Sequence, residues 1–180
     1  MLAINHASYI DAIVIMAALP INFRFLAKQR LATYPLVGTV IRRAQHITIE
    51  KGDVAQRLAG ADQITTALRD GISPAVFPEG TFVRVPGILP FRLGAFRSAV
   101  DAQRPVVPIT LRGTRAVLPD NAWLLRRAPI EVVIGNPLTP DTGGWPEMVR
   151  LRGSRTSDDR TAFWRADGRA ALSRAILHAK

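Results

Sequence analysis

Two side chains near the start of the sequence have the types and the spacing of a proton-transfer pair. His6 is followed five positions later by Asp11, with Ser8 between them. On one continuous helix, residues five apart are about 140° apart around the axis and do not meet. If Ser8 caps the next helix, however, His6 lies outside it and can fold back so that Asp11 accepts a hydrogen bond from the imidazole. A carboxylate in that position holds one tautomer and stabilises the imidazolium that forms when the histidine takes a proton.

The same three residues also fit a purely structural pattern. Asp11 can complete a capping box with Ser8, and His6 is then a polar loop residue. A third interpretation, Ser8 as a nucleophile beside His6, lacks the G-x-S-x-G turn that exposes such serines. The residues alone therefore leave the proton-transfer pair and the capping box open.

Two further clusters follow apolar, strand-like runs. The segment Phe77-Pro78-Glu79-Gly80-Thr81 predicts a turn in which Gly80 permits a close approach or a positive φ. Lys28 and Arg30 precede a second apolar segment, Pro35-Leu36-Val37-Gly38. A cation directly after a strand can hold a phosphate, and the apolar segment behind it can line a pocket or lie on a membrane. A plain turn and a solvated basic loop over a core helix are the alternatives for these two clusters.

The elements that position these clusters alternate between β-rich runs and segments of helical periodicity. Strands are expected at residues 1–4, 23–27, 46–49, 75–77, 106–111 and 130–134, and helices at 8–19, in two pieces within 31–43, at 53–69 and at 94–102. This order favours an α/β fold with a mixed, largely parallel sheet flanked by helices. Because such sheets place their sites at the carboxyl ends of strands, the loops with His6, Lys28 and Glu79 can share one rim. We expect this domain to occupy residues 1–140, followed by a turn at 141–144 and a basic amphipathic helix at 159–178.

Composition and charge narrow the classes of protein. Hydrophobic residues make up 48% of the 180 residues, which excludes intrinsic disorder as the main state. The sequence has no cysteine, which excludes disulfides, thiolate zinc sites and a cysteine nucleophile, and three histidines leave little for a metal site. The longest apolar run, at 12–19, is far shorter than the ~20 residues of a membrane span, and no secretory signal is expected. A formal charge of +10 favours an anionic partner, which could be nucleic acid, an anionic bilayer surface or a phosphorylated metabolite.

In their order along the chain, these clusters resemble the four signature blocks of the glycerolipid acyltransferase family, which includes the lysophosphatidic acid acyltransferases. Asn5-His6-Ala7-Ser8-Tyr9-Ile10-Asp11 resembles the N-H-x-S-x-x-D block, and Phe77-Pro78-Glu79-Gly80-Thr81 matches the F-P-E-G-T block. The second block is similar to Phe25-Leu26-Ala27-Lys28 with Pro35-Leu36-Val37-Gly38, and the fourth to Val107-Pro108-Ile109 with Arg112-Gly113-Thr114. The four blocks cover roughly residues 4–119.

The resemblance implies an enzyme that moves a fatty acyl group from an acyl-CoA or acyl-carrier-protein thioester to the hydroxyl of a lysophosphatidic-acid-like acceptor, in phospholipid biosynthesis. His6 would be the general base and Asp11 would orient it. Lys28 and backbone amides near Gly80 are candidates for stabilising the oxyanion. No metal or bound cofactor is required, because the thioester is a co-substrate.

The resemblance also implies a binding site and a cellular setting. Glu79 and Thr81 would shape the acceptor pocket, and the apolar segment 31–41 could border the acyl chain. The expected location is cytoplasmic, peripheral at the inner face of the membrane, with an anionic membrane surface as partner. Nucleic acid is not expected as a partner.

Two departures from the family's pattern bear on the acceptor and on the start of the chain. The family usually has an arginine directly after E-G-T, where it helps bind the acceptor phosphate, and this sequence has Phe82 at that position. Arg84, or Arg92 further along, could reach the same phosphate, and a different alcohol as the acceptor is the alternative. Family members commonly carry membrane-associated helices ahead of the first block, so we expect the natural start to lie upstream of Met1. The alternatives are a non-catalytic lipid- or anion-binding domain with the same fold, and a basic nucleic-acid-binding protein, for which no recognised motif is present.

Overall fold

The computed structural model describes residues 1–50, 52–81, 89–119, 122, 124–153 and 173–178. Its strands are β1 (Leu2–Ile4), β2 (Arg24–Lys28), β3 (Ile47–Ile49), β4 (Pro74–Val76), β5 (Val107–Arg112), β6 (Pro129–Ile134) and β7 (Ser173–His178). Its helices are α1 (Asp11–Ala18), α2 (Pro35–Arg43), α3 (Val54–Arg69), α4 (Leu93–Asp101), α5 (Thr114–Val117) and α6 (Trp145–Gly153), with a 3₁₀ helix at Gln29–Thr33.

The strands of the described residues form one sheet in the spatial order β3-β2-β4-β1-β5-β6-β7. The pairs from β3 through β5 are parallel, whereas β6 is antiparallel to β5 and β7 is antiparallel to β6. The sheet is therefore mixed and largely parallel, with helices on its faces, which confirms the expected fold class. The two helical pieces expected within residues 31–43 correspond to the 3₁₀ helix and α2.

Alternating side chains of β1 build two cores, one on each face of the sheet. Ala3 packs in a cluster that includes Phe96 of α4 and Leu151 of α6, whereas Leu2 and Ile4 pack with residues of α1. This alternation follows from the two-residue period of a strand buried on both faces. β1 is consequently fixed at the centre of the domain, and the residues that directly follow it are fixed with it.

The sheet order brings the three candidate clusters to one edge. β4 lies between β2 and β1, and all three strands run in the same direction. Their carboxyl ends lead to Glu79, Lys28 and His6 respectively. Because strands are about 4.8 Å apart, the ends of β1 and β2 lie roughly 10 Å from each other, with the turn after β4 between them.

Two expectations about helices are wrong. The first helix begins at Asp11 with Ile10 at its N-cap, and not at Ser8, because the Ser8 hydroxyl donates to the Leu118 carbonyl at 2.9 Å. In the segment expected to form a basic amphipathic helix at 159–178, residues 173–178 form β7, which pairs along the whole of β6 and so satisfies the backbone groups of that strand's edge. Residues 159–172 lie outside the described residues.

None of the helices in the described part of the chain has the length and the apolar character that a bilayer crossing needs.

Candidate functional site

His6 and Asp11 are brought together at the carboxyl end of β1. His6 Nδ1 lies 2.8 Å from Asp11 Oδ2, and the Asp11 side chain is fully buried while 19% of the His6 side chain is exposed. The contact exists because α1 begins at Asp11, so that His6 lies in the preceding loop and folds back over the first turn. The expected pairing is therefore confirmed, although the helix is not capped as expected.

Three donors converge on one oxygen of the Asp11 carboxylate. Besides His6 Nδ1, the backbone N–H groups of Ala7 and Ser8 donate to Oδ2 at 2.6 and 2.8 Å. An ionised carboxylate can only accept, so the proton of a neutral His6 lies on Nδ1 and its lone pair on Nε2. The Ser8 contact is the half of the capping box that the structure retains. Asp11 thus holds the backbone before α1 and orients the imidazole at the same time.

The polar neighbours of His6 in the first block have structural contacts. Asn5 continues the pairing of β1 with β5, because its side-chain amide accepts from the Leu111 N–H at 2.6 Å and donates to the Leu111 carbonyl at 3.1 Å. Ser8 is buried and its hydroxyl is engaged with Leu118, which argues against a nucleophilic Ser8. Both side chains hold the loop that presents His6.

An aromatic stack fixes the plane of the His6 ring. The ring centroids of Phe77 and His6 lie 4.3 Å apart at an interplanar angle of 22°, and those of Phe25 and Phe77 lie 5.7 Å apart at 8°. The ring position is therefore set by Phe77 and by Asp11 together. Sequence reasoning assigned Phe77 to the end of a strand and missed this contact, since stacking across two strands has no signal in the local sequence.

Glu79 joins the His6 loop to a later segment of the chain. Its Oε1 accepts from the His6 backbone N–H and its Oε2 from the Leu89 N–H, both at 2.8 Å. The residue is 3% exposed, and burial raises the pKa of its carboxyl while the two amide hydrogen bonds act in the opposite direction. These contacts give Glu79 a positioning role, and its expected role in shaping the acceptor pocket stays a prediction.

The remaining expected site residues divide into three groups. Gly80 has a φ of +71°, as the turn requires, and its own N–H donates to the Phe77 carbonyl at 2.8 Å, while the oxyanion role of the backbone amides near it stays a prediction. Lys28 ends β2 on the same edge of the sheet, and Thr81 directly follows Gly80; their binding roles stay predictions. Arg84 and Phe82 lie outside the described residues.

Sequence reasoning gave little weight to Arg92, which the structure places against the F-P-E-G-T turn. A Cβ atom built on Gly80 would lie 2.8 Å from Arg92 Nε and 3.0 Å from its Cζ. The backbone N–H of Arg92 donates to the Pro78 carbonyl at 2.8 Å. The sequence analysis named Arg92 as a residue that could reach the acceptor phosphate, but no local pattern predicted its contact with Gly80.

A second histidine is excluded from the proton-transfer site by its contacts. His46 Nδ1 accepts from the Phe25 N–H at 3.2 Å, and burial lowers the pKa of this imidazole. His46 is therefore a neutral packing residue at the β2–β3 edge. In the described part of the chain, no group of three or more acidic or histidine side chains is arranged to hold a metal ion.

Comparisons with solved structures and with curated proteins find chains that are similar to this one. The 1-acyl-sn-glycerophosphate (LPA) acyltransferase of Thermotoga maritima superimposes with a TM-score of 0.71 at 23% identity, over 85% of this chain and 61% of that one, and shows the same fold. A 1-acyl-sn-glycerol-3-phosphate acyltransferase of Cocos nucifera is 31% identical over 79% of this chain and 46% of the relative. One from Limnanthes douglasii is 33% identical over 76% of this chain and 49% of the relative. The chain spans about half the length of these curated relatives.

The family comparison spans the part of the chain that carries His6 and Asp11. The model of the acyltransferase family matches residues 1–112, which include His6, Asp11, Lys28, Glu79 and Arg92. On this match, the chain belongs to the acyltransferase family.

Proposed function

We propose that this chain transfers a fatty acyl group from a thioester donor, an acyl-CoA or an acylated carrier protein, to the hydroxyl of a lysophosphatidic-acid-like acceptor. The observation that carries the proposal is the hydrogen bond of 2.8 Å between His6 Nδ1 and the buried carboxylate of Asp11. Relatives named 1-acyl-sn-glycerol-3-phosphate acyltransferase support the class of acceptor and the place in phospholipid biosynthesis.

In the proposed reaction, His6 is the general base and the acceptor hydroxyl is the nucleophile. The hydroxyl oxygen attacks the thioester carbonyl carbon while His6 Nε2 takes the hydroxyl proton, so a C–O bond forms and the carbonyl becomes an oxyanion. Asp11 stabilises the resulting imidazolium. The tetrahedral intermediate then collapses, the C–S bond breaks, and the imidazolium returns its proton to the leaving thiolate. No group on the enzyme is acylated, and the proposal assigns no step to a metal or cofactor.

We propose Lys28 as a cation that stabilises the developing oxyanion. It ends β2, one strand beyond the turn that carries Glu79, on the edge where His6 lies. A positive charge at this edge stabilises the oxyanion more strongly than the ground-state carbonyl. Thr81 and Arg84 are proposed to contact the acceptor, and the apolar segment 31–41 to border the acyl chain.

We propose that the enzyme works at the surface of an anionic membrane, on the cytoplasmic side. Three apolar side chains on the outer face of α1 and the loop before it, Tyr9, Ile13 and Met16, are 66%, 61% and 40% exposed. Ile13 and Met16, three residues apart, lie on one face of α1, and Tyr9 lies in the loop that leads into this helix. No acidic residue occurs between Asp11 and Glu50, so this region would attract anionic lipid. A bilayer there would deliver the lipid acceptor to the site.

The proposed function is tested by following thiol release from a long-chain acyl-CoA in the presence of phospholipid vesicles and lysophosphatidic acid. His6→Ala is expected to abolish release, because no other group in the proposed mechanism accepts the hydroxyl proton. His46→Gln is the matched control, since the glutamine oxygen can still accept from the Phe25 N–H, and it is expected to retain activity. Fold integrity of each variant is checked by circular dichroism.

The outcomes separate the proposal from its alternative. Release that requires both His6 and the acceptor supports acyl transfer. Equal release by wild type and a folded His6→Ala variant would overturn the assigned base. Vesicle binding without thioester consumption, with acyl-CoA and with an acylated carrier protein, would indicate a lipid-binding domain that keeps the acyltransferase fold.

A further inference from the structure

The side chain of Arg92 crosses the turn that follows β4. Its Cδ, Nε and Cζ atoms lie 3.3, 2.8 and 3.0 Å from the position that a Cβ on Gly80 would occupy. These distances are closer than ordinary van der Waals contact for a real Cβ, so the arginine occupies the space that the glycine leaves open. Gly80 therefore provides both the positive φ of the turn and the room for a guanidinium beside it.

The backbone holds Arg92 at this turn by two hydrogen bonds. The Arg92 N–H donates to the Pro78 carbonyl, and the Leu89 N–H donates to Glu79 Oε2, both at 2.8 Å. Glu79 Oε1 accepts from the His6 N–H at the same distance. One carboxylate thus fixes the loop of His6 and the segment of Arg92 relative to each other.

Some arginines of the described chain form ion pairs with acidic side chains, and others, including Arg92, do not. Arg97 pairs with Asp101, and Arg112 with Glu131, each at 3.2 Å. Arg92 is exposed and makes no ion pair with an acidic side chain among the residues that the structure describes. A guanidinium in this state offers its fork of N–H donors to an anionic group in solution, and phosphate matches that fork.

We infer that Arg92 binds the phosphate of the acceptor and so determines the preference for a phosphorylated alcohol. The inference rests on the proposed function, in which the acceptor hydroxyl approaches His6. Relatives are named for acceptors that carry a glycerol 3-phosphate group, and the residue directly after Thr81 is Phe82, which has no charge to offer such a group. Arg92 enters the same turn from ten residues further along the chain and supplies that charge.

The test compares two acceptors and two arginines in the full chain. Arg92→Gln is expected to lower kcat/KM for lysophosphatidic acid about 10- to 100-fold, the loss that charge-assisted bidentate hydrogen bonds imply, and to leave kcat/KM for a phosphate-free monoacylglycerol within about twofold. Arg97→Gln removes the same charge from the same helix region, where Arg97 is 45% exposed, and is expected to change neither value. Arg92→Lys, which keeps the charge and loses the fork, is expected to be intermediate.

Other sources of phosphate give different results and would overturn the inference. A raised KM for acyl-CoA with both acceptors would place the donor's phosphates at Arg92, and weaker binding to anionic vesicles would place lipid headgroups there. A loss of lysophosphatidic acid turnover in Arg84→Gln but not in Arg92→Gln would assign the role to Arg84. Equal turnover of the two acceptors by wild type would support acyl transfer and refute phosphate recognition.

A binding measurement separates this inference from the proposed function. Glycerol 3-phosphate is titrated into the wild-type protein and followed by NMR, with glycerol as the phosphate-free probe. Binding of glycerol 3-phosphate that is weakened in Arg92→Gln and retained in Arg97→Gln supports the inference even if no thiol is released. Binding that is equal in all three proteins, or absent in wild type, overturns it.

Discussion

Asp11→Asn is the substitution that best separates a catalytic carboxylate from a structural one. The asparagine oxygen can occupy the place of Oδ2 and accept from Ala7, Ser8 and His6, because two of these donors are backbone groups held by the start of α1. The loop and the Nδ1–H tautomer of His6 are therefore expected to persist. What the substitution removes is the negative charge beside the imidazole.

The size of the effect follows from the distance between the charges. An imidazolium and a carboxylate whose charge centres lie about 4 Å apart interact by about 4 kcal/mol at an effective dielectric constant near 20. Asparagine keeps the hydrogen bonds and loses most of this attraction, which exists only after His6 has taken a proton. We expect kcat to fall about 10²- to 10³-fold, with little change in either KM.

The folded state is expected to lose less than the reaction does. Oδ1 of Asp11 is buried and accepts no hydrogen bond from the described residues, so the asparagine NH₂ group would occupy that position without an acceptor. An unsatisfied buried donor costs about 1–3 kcal/mol of the free energy of unfolding, which urea denaturation measures. The protein would remain folded at 25 °C if its stability lies in the usual range of about 5–15 kcal/mol.

Two measurements can refute this reasoning. Thiol release is measured with saturating acyl-CoA and acceptor, alongside the ¹⁵N chemical shifts of the His6 ring, which report the tautomer. A folded Asp11→Asn protein with wild-type kcat would reduce Asp11 to a residue that holds the start of α1. A changed tautomer would mean that orientation, and not charge, explains any loss of activity.

Three further predictions concern the support of the site, the dependence of stability on pH and the membrane surface. Glu79→Gln turns an NH₂ group toward one of the two backbone N–H donors that the carboxylate now accepts from, so we expect the free energy of unfolding to fall by about 1–3 kcal/mol and thiol release to fall with it. Glu131→Gln, at a surface ion pair, is the control and should change the unfolding free energy by less than about 1 kcal/mol in urea denaturation. The hydrogen bonds of its arginine partner lower the pKa of Glu147 from its ordinary value of 4.5 to about 2, so its contribution to stability is present above pH 4.5 and is lost as the pH falls through 2. Glu147→Gln should lower the unfolding free energy by about 1.5–3 kcal/mol at pH 7, and the difference from wild type should shrink as the pH falls through 2. Ile13→Ser should weaken binding to anionic vesicles about 10-fold or more in a sedimentation assay, whereas Val54→Ser, at an equally exposed position on α3, should not; equal losses in both variants would contradict the proposed membrane face.

The sequence was most informative where a local pattern decides the structure. The helix at 53–69 was expected from its periodicity, and the structure has α3 at Val54–Arg69 with Asp53 at its N-cap, whose side chain accepts from the Gln56 N–H. The meeting of His6 and Asp11 was also within reach, since only five residues and one helix start separate them. Such features depend on residues that are close together in the sequence, so the sequence alone can predict them.

Contacts between distant segments were outside the reach of the sequence. The Ser8 hydroxyl does not cap α1 as expected, because it donates to the Leu118 carbonyl, 110 residues further along the chain. Residues 173–178 form a strand because they pair with the edge of β6, although their composition suggested the end of a basic helix. In both cases a backbone group of another segment competes with a local hydrogen bond, and the outcome depends on topology.

The contacts of the signature blocks suggest where acceptor specificity resides. Asn5, Ser8 and Glu79 all direct their side chains at backbone groups of the protein itself, and Asp11 directs its carboxylate at His6 and two amides. These residues hold one imidazole in place, and they would do so for any alcohol that approaches it. Discrimination between acceptors must then come from side chains that face the solvent at the same edge, and such side chains can differ between proteins that share every block. On this argument the blocks indicate the reaction, whereas the phosphate is recognised by a residue outside them, which we infer to be Arg92.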